Sequence, residues 1–155
     1  MTTTYDDLGS LDDWLLRQAI EQAEHGISIE DQLIPQTVLR LGQPHVYLYA
    51  TVIFDGEVAN GGLQQFFDNS SGALAPTVRD ALQEMRLPKY AATIGQIIGG
   101  FGEQFPRNQN DRMDQVDRDP RLQIMLDTGS DSIDVWSKEY ILARETYARK
   151  NRLLK

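Results

Sequence analysis

The stretch EVANGGLQQFFDNSSG, residues 57–72, decides the fold because it sets two adjacent glycines beside a polar and aromatic cluster. We call these residues the signature. Each glycine in a helix interior costs about 1 kcal/mol relative to alanine, so Gly61 and Gly62 indicate a sharp bend or a close approach of the backbone to a neighbour. Asn60 is a residue type that caps a following helix. The signature therefore predicts a joint at Asn60, Gly61 and Gly62 between two helices.

The segment before the signature is compatible with two structures. Residues 46–54 read VYLYATVIF, and this β-branched and aromatic content favours a strand. However, Pro44 suits the first turn of a helix, and apolar character continues to Val58 with no turn residue before Gly56. A helix that is apolar nearly all round belongs in a core, so we predict a buried helix here.

Apolar residues recur at helical spacing through much of the remaining chain. Ser10 to Asp13 has the pattern of a capping box, which predicts the start of a helix that ends at Gly26. Ser28 with Asp31 repeats this start signal before a proline breaks the segment. Further helices are expected at about residues 74–85, 90–101 and 120–126.

The last predicted helix has the clearest amphipathic pattern. Its apolar residues alternate in steps of three and four, which predicts that they share one face: Ile133, Trp136, Tyr140, Ala143 and Tyr147. We expect this face, including Trp136, to pack into the core. The chain ends in a basic cluster, which we interpret as cations that stabilise the dipole of a helix C-terminus. Its members are Arg144, Arg149, Lys150, Arg152 and Lys155.

Length and composition allow one hydrophobic core, because 155 residues with 41% hydrophobic side chains make a domain of ordinary size. We predict that residues 1–155 form one compact, all-α multi-helix bundle with the signature at 57–72. The chain has no cysteine, which excludes disulfides and fits a reducing cytoplasm. Its acidic start and short apolar run predict neither a signal peptide nor a membrane span.

The net charge of −8 comes from one part of the chain. Residues 1–60 hold ten carboxylates and two arginines, whereas residues 61–155 hold thirteen charges of each sign. An acidic surface repels phosphate, so we expect no direct binding to nucleic acid or to a membrane, and a basic protein partner is favoured. The candidate partner-binding residues are Asp6, Asp7, Asp12, Asp13, Glu21, Glu24, Glu30 and Asp31. The simpler interpretation is that these charges keep the protein dispersed.

Patterns typical of catalysis or cofactor binding are scarce. Neither His25 nor His45 has a metal-binding spacing. The aspartates at 111, 114, 117 and 119 lack the glycine and the terminal glutamate of a calcium loop, and the glycines within 95–102 do not form a phosphate loop. We therefore predict no catalytic residue, no metal site and no cofactor. Residues 103–119 are expected to form an irregular acidic loop.

The polar side chains of the signature have two interpretations. They are suited to line a ligand pocket or to tie the ends of two helices together, and we favour the second. These residues are Glu57, Asn60, Gln65 and Asn69. Phe66 and Phe67 are expected in the core. For Glu57 we predict a carboxylate that accepts backbone N–H groups of the next helix.

The signature resembles the hallmark of the bacterial DNA-mimic protein family, whose usual pattern is Glu-Val-x-Asn-Gly-Gly-Phe-x-Gln-Phe-Phe-x-Asn. The matching residues are Glu57, Val58, Asn60, Gly61, Gly62, Gln65, Phe66, Phe67 and Asn69, with Gly72 after them. Leu63 stands where the family has phenylalanine. The resemblance extends less distinctly over residues 46–101. It implies an all-α domain, and it implies surface carboxylates that resemble duplex DNA and occupy the DNA-binding face of a helix-turn-helix regulator.

Three functions follow as hypotheses. The first is a non-enzymatic interaction protein whose acidic N-terminal surface engages a basic partner, with a helix-turn-helix transcription regulator as the partner that the resemblance implies. The second is a binding or immunity-like domain that recognises its partner by shape, without DNA mimicry. The third is an enzyme that uses Glu57 with Asn60 and Gln65. We rank the third last because no nucleophile, metal set or cofactor loop accompanies these residues.

Overall fold

The computed structural model describes residues 3–155, and within them the backbone is helical apart from loops and one isolated bridge pair. The α-helices of this part are α1 (Leu8–Glu24), α2 (Gln36–Leu39), α3 (Gln43–Asp68), α4 (Ala75–Glu84), α5 (Pro88–Gly100), α6 (Gln109–Arg118), α7 (Pro120–Ser132) and α8 (Lys138–Lys150). A 3-10 helix, Ser70–Leu74, links α3 to α4. The predicted all-α class is confirmed. Residues 1 and 2 of the predicted domain lie outside the described residues.

The central helix α3 confirms the helical interpretation of residues 46–54. Its first half is apolar on nearly every side, and Leu48, Tyr49 and Phe54 are fully buried. A helix of this kind needs neighbours around its whole circumference, and α1, α2, α4, α7 and α8 all pack against it. Their buried side chains form one hydrophobic cluster with those of α3. The signature is therefore placed within the packed bundle.

The bend predicted by the signature lies at its two glycines. Gly61 has φ −154° and ψ 21°, and Gly62 has φ 70° and ψ −166°. The conformation of Gly62 is adopted almost only by glycine. Helix α3 therefore consists of two helical halves joined at a kink.

The start of α1 differs from the predicted capping box. Asp7 caps this helix by accepting hydrogen bonds from the backbone N–H and the hydroxyl of Ser10, at 2.8 and 2.9 Å, so the helix begins at Leu8. Ser28 and Asp31 do bond to each other, but they form an isolated turn rather than a helix start. The next helix, α2, has only four residues.

The prediction of an irregular acidic loop at residues 103–119 is wrong from Gln109 onward, because α6 occupies Gln109–Arg118. Asn108 caps α6 by accepting a hydrogen bond from the N–H of Asp111 at 3.1 Å. The buried side chains of α6 are those of Arg112 and Val116. So narrow an apolar face leaves little periodic signal in the sequence.

The last helix, α8, begins later than predicted, at Lys138, with Ser137 as its cap. Tyr140 and Tyr147 are buried as expected, but Trp136 is 75% exposed. The prediction that Trp136 packs into the core is wrong because the chain before Ser137 is not helical. Helical spacing therefore does not determine where the side chain of Trp136 points.

The two chain ends of the described part lie side by side. The N–H of Tyr5 donates to the carbonyl of Leu153 at 2.7 Å, and the N–H of Lys155 donates to the carbonyl of Tyr5 at 2.8 Å. An exposed ion pair of 2.7 Å joins Lys155 to Asp6. These contacts attach the segment before α1 to the end of the bundle.

Candidate functional site

Glu57 connects the two halves of α3 across the bend. Its Oε2 accepts hydrogen bonds from the side-chain amides of Gln65 and Asn69, at 2.9 and 2.8 Å. The expectation that backbone N–H groups would be the donors is wrong. Gln65 and Asn69 are four residues apart and share one face of the second half-helix, so both amides reach the same oxygen.

The half-helix after the bend is capped from α7. The hydroxyl oxygen of Ser130 accepts a hydrogen bond from the N–H of Leu63 at 2.9 Å. A β-carbon on Gly62 would lie 3.0 Å from that oxygen, so glycine leaves room for the cap. Asn60, which we expected to supply the cap, is exposed and makes no side-chain hydrogen bond within residues 3–155.

A buried arginine, Arg112 of α6, holds the end of α3. Its guanidinium donates to the carbonyls of Phe67 at 3.0 Å, Asn69 at 2.6 Å, Pro106 at 3.0 Å and Arg107 at 2.7 Å. A helix end leaves such carbonyls without intrahelical partners. Gly72 makes space for this arginine, since a β-carbon there would lie 2.9 Å from its Nε. Phe66 and Phe67 are fully buried beside it.

The eight candidate partner-binding carboxylates do not form one free surface. Five are engaged by other groups: Asp6 pairs with Lys155, Asp7 caps α1, Asp12 pairs with Arg144, Glu30 accepts the N–H of Gln109, and Asp31 accepts the hydroxyl of Ser28. The other three are Asp13, Glu21 and Glu24, which are exposed and have no hydrogen bond or ion pair in the described part of the chain. All three belong to α1, which therefore carries the unpaired charge of this group.

The outer face of α1 combines this negative charge with apolar surface. At 3.6 residues per turn, Asp13, Ile20 and Glu24 project from nearly the same side of the helix. Ile20 is 56% exposed and lies between the two carboxylates along the axis. Arg17 is the one basic residue of this helix.

A second buried arginine, Arg144 of α8, joins three helices. Its guanidinium donates two hydrogen bonds to Asp12 of α1, at 2.8 and 2.7 Å. It also donates to the hydroxyl of Thr51 at 3.0 Å and to the carbonyl of Leu48 at 3.1 Å, both in α3. We interpreted Arg144 as a cation at a helix end, and that interpretation is wrong. Its place four residues after Tyr140, on the buried face, was the available signal.

Asp55 of α3 lies beside this network. Its Oδ1 accepts the hydroxyl of the fully buried Tyr140, and its Oδ2 lies 3.5 Å from Nη1 of Arg144. Burial raises the pKa of Asp55 to about 6, and nearby Asp12 also raises it, while Arg144 and Tyr140 act in the opposite direction. The side chain is 24% exposed. Asp55 is therefore a partly accessible carboxylate whose charge changes close to neutral pH.

A cleft of about 480 Å³ opens next to Asp55. It lies between α1, α3 and the start of α8, and Trp136 forms part of its wall. Its apolar lining is Leu8, Ala59, Val135, Trp136 and Ile141, and its charged lining is Asp7, Asp12, Asp55, Arg144 and Glu145. Sequence reasoning missed this site because its residues come from three distant segments.

The histidines and aspartates considered for catalysis or metal binding lie apart from this cleft. The Nδ1 of His25 is 2.7 Å from the carbonyl oxygen of Glu21. His45 is buried beside Tyr5, and this burial lowers the pKa of His45 through desolvation. Within residues 3–155 no group of three or more histidine, aspartate or glutamate side chains is placed to hold a metal ion. The helices of the same residues include none long and apolar enough to span a bilayer.

The fold and this site define an all-α protein whose helices are joined by two buried arginines and whose first helix carries unpaired carboxylates. Residues 40–154 match the model of the DMP19-like protein family. The chain belongs to the DMP19-like protein family, which is consistent with the resemblance of the signature to the DNA-mimic family. No curated protein and no solved structure matches the chain.

The family match covers only part of the residues described in this section. It includes α3 and α8, and with them the signature, Asp55 and Arg144, but it begins after α1. The carboxylates Asp13, Glu21 and Glu24 lie outside it. Asp12 is the residue through which α1 bonds to Arg144 in the matched part. The acidic face of α1 is therefore a feature of this chain that lies outside the family match.

Proposed function

We propose that this protein is a non-enzymatic interaction domain that binds a basic protein partner through the outer face of α1. We further propose that the partner is a DNA-binding regulator, of the helix-turn-helix class, whose DNA-contacting surface is covered by this face. The observation that carries the proposal is the set of three exposed, unpaired carboxylates Asp13, Glu21 and Glu24 on one helix. Membership of the DMP19-like protein family supports the DNA-mimic part of it.

The physical basis is the charge that such a partner presents. A protein that binds DNA places lysine and arginine side chains against phosphates, and the same side chains are attracted to a row of carboxylates. Nucleic acid and anionic lipid are repelled by that row. The proposal therefore includes no direct binding to either, and it assigns the protein to the reducing cytoplasm that a cysteine-free chain suits.

The non-enzymatic part of the proposal is supported by the state of Glu57. This residue was the candidate catalytic carboxylate, and two amide donors occupy its Oε2. Gln65, which the enzymatic hypothesis grouped with Glu57, is one of these donors, and Asn60 makes no side-chain hydrogen bond in the described part of the chain. The bonds to Gln65 and Asn69 instead give Glu57 a role in holding the bend.

The test uses immobilised protein and two matched triple variants. The first, Asp13→Asn with Glu21→Gln and Glu24→Gln, neutralises the outer face of α1. The control neutralises three exposed carboxylates of α6 and α7: Asp114→Asn, Asp117→Asn and Asp131→Asn. Proteins captured from a native cytoplasmic extract are released by added salt or by duplex DNA and then identified.

The expected result is a basic protein that binds the wild type and the control but not the α1 variant, and that duplex DNA releases. Salt should weaken its binding because the Debye length is about 8 Å at physiological ionic strength. Unchanged binding of the same partner to the α1 variant would refute the proposal.

A second candidate function is recognition by shape without DNA mimicry. The apolar cleft with the exposed Trp136 favours it, because an open apolar site can bind a partner without a charged surface. This candidate requires a partner that remains bound to the α1 variant and that duplex DNA does not release.

A further inference from the structure

We infer that the cleft between α1, α3 and α8 binds an arginine side chain of the basic partner, with the guanidinium at Asp55 and the alkyl stem against Trp136. The inference rests on the proposed function, since the arginine belongs to the partner proposed there. It adds a defined contact in the part of the chain that the family model matches, apart from the outer face of α1.

The walls of the cleft suit a side chain with an apolar body. A volume of about 480 Å³ is within the range of sites that enclose small ligands. Trp136 is 75% exposed and Ile141 is 44% exposed, so both present apolar area that the bundle leaves uncovered. An arginine side chain packs its alkyl stem along apolar surface while its charged head projects beyond it. An arginine would cover Trp136 while its charge reached the base of the cleft.

The charge at the cleft suits a cation. Arg144 is the cation of the lining, and its donors are already bound to Asp12, Thr51 and Leu48. Asp55 keeps acceptor capacity, because its Oδ2 has an ion-pair contact of 3.5 Å with Nη1 of Arg144 but accepts no hydrogen bond within residues 3–155. A planar guanidinium can donate two parallel hydrogen bonds to a carboxylate, whereas a lysine ammonium is a more strongly hydrated point charge. The remaining acceptor capacity of Oδ2 therefore favours a second guanidinium over an ammonium.

The same geometry makes binding depend on pH. Asp55 is faced by Arg144 and Tyr140 from α8 and by Asp12 from α1, and Asp7 and Glu145 also line the cleft. Because burial raises the pKa of Asp55 to about 6, this carboxyl is protonated in a large fraction of the protein molecules at pH 5. A bound guanidinium stabilises the ionised form, so binding releases a proton and must weaken as the pH falls.

The test is a nuclear magnetic resonance titration with three short peptides that differ at one position. The peptides are acetyl-Ala-Arg-Ala-amide and its lysine and citrulline counterparts, of which citrulline has nearly the shape of arginine without the charge. The readout is the indole N–H signal of Trp136 in a Trp14→Phe background, which leaves a single tryptophan. We expect a saturable shift with the arginine peptide, binding about fivefold weaker with lysine, and no shift with citrulline.

Two variants locate the contact. Asp55→Asn is expected to weaken arginine binding at least fivefold and to abolish most of its pH dependence, which in the wild type should be about tenfold between pH 7.5 and pH 5. Trp136→Ala should also weaken binding of the arginine peptide. Because this variant lacks the indole signal, its binding is measured from the backbone amide signals of Gly56 and Ala59. The matched control is Leu142→Ala, since Leu142 is 61% exposed on α8 but does not line the cleft.

The inference is overturned if the arginine peptide produces no saturable shift, if citrulline binds as well, or if Asp55→Asn leaves binding unchanged. Its failure is distinguishable from failure of the proposed function. If the peptide does not bind but the α1 variant still loses its basic partner, the cleft is excluded and the proposed function stands. If the peptide binds while the α1 variant retains the partner, the outer face of α1 is excluded and the cleft stands.

Discussion

Replacing Gly62 by alanine is expected to destabilise the protein by about 2–4 kcal/mol. A residue with a β-carbon pays about 1–3 kcal/mol to adopt the backbone conformation that Gly62 has, φ 70° and ψ −166°. The new methyl group would also lie 3.0 Å from the hydroxyl oxygen of Ser130. Moving Ser130 weakens its bond to the N–H of Leu63, which is worth about 1 kcal/mol.

Gly56 supplies the matched control, because it lies in the first half of the same helix. Its conformation is helical, and no atom lies within 4 Å of a β-carbon built there. Alanine is therefore expected to stabilise the protein by up to about 1 kcal/mol. The two substitutions insert the same methyl group and should have opposite signs.

The assay is urea unfolding followed by circular dichroism, together with thermal melts. In a domain of this size a loss of 1 kcal/mol lowers the melting temperature by about 2–4 °C, so the predicted difference between the two variants is readily measured. The reasoning is refuted if Gly62→Ala is neutral or stabilising, or if Gly56→Ala costs as much. The first result would show that the bend does not require glycine, and the second would show that the cost of alanine is not specific to the bend.

Three further predictions concern buried charge. Arg112→Met should lower the free energy of unfolding in urea by about 3–5 kcal/mol, because the carbonyls at the end of α3 lose a charged donor. The control is Arg118→Met on the exposed side of α6, which should change that free energy by no more than about 0.5 kcal/mol. Asp12→Asn should lower the free energy of unfolding by about 2–4 kcal/mol, because it breaks the ion pair with Arg144. The control is Asp13→Asn, which removes an unpaired carboxylate and should change stability by less than about 0.5 kcal/mol. The folded protein holds the proton of Asp55 more tightly than the unfolded chain does, because the folded pKa is about 6. The stability that this group contributes is thus present at low pH and is lost as the pH rises. The loss of unfolding free energy caused by Asp55→Asn should therefore be about 2 kcal/mol smaller at pH 7 than at pH 4. An equal loss at the two pH values would contradict the raised pKa.

The helices that sequence reasoning predicted well are those with a wide apolar face or a special backbone residue. Residues 46–54 are apolar on nearly every side, so the helix could be inferred from the length of the apolar segment despite a composition that favours a strand. Gly61 and Gly62 indicated the bend, and the positive φ of Gly62 is a conformation that other residue types rarely adopt. By contrast, α6 escaped notice because its largest buried side chain is an arginine, which a hydrophobic pattern does not count.

The site was less predictable because its contacts join distant segments. Asp12 and Arg144 are separated by 132 positions, and nothing local shows that one carboxylate of α1 is buried against an arginine while its neighbour Asp13 is free. Charge counting therefore grouped eight carboxylates that the fold separates. Trp136 was assigned to the core because its spacing continued a helical pattern that the chain itself does not follow.

The cap that Ser130 provides has a consequence for the order in which the chain folds. The hydrogen bond joins residues 67 positions apart, so the entropy of closing a long loop must be lost before the bend gains this partner. A half-helix that lacks a local cap also nucleates poorly on its own. The second half of α3 must wait until α7 has been synthesised, which makes completion of the bend a late step in folding.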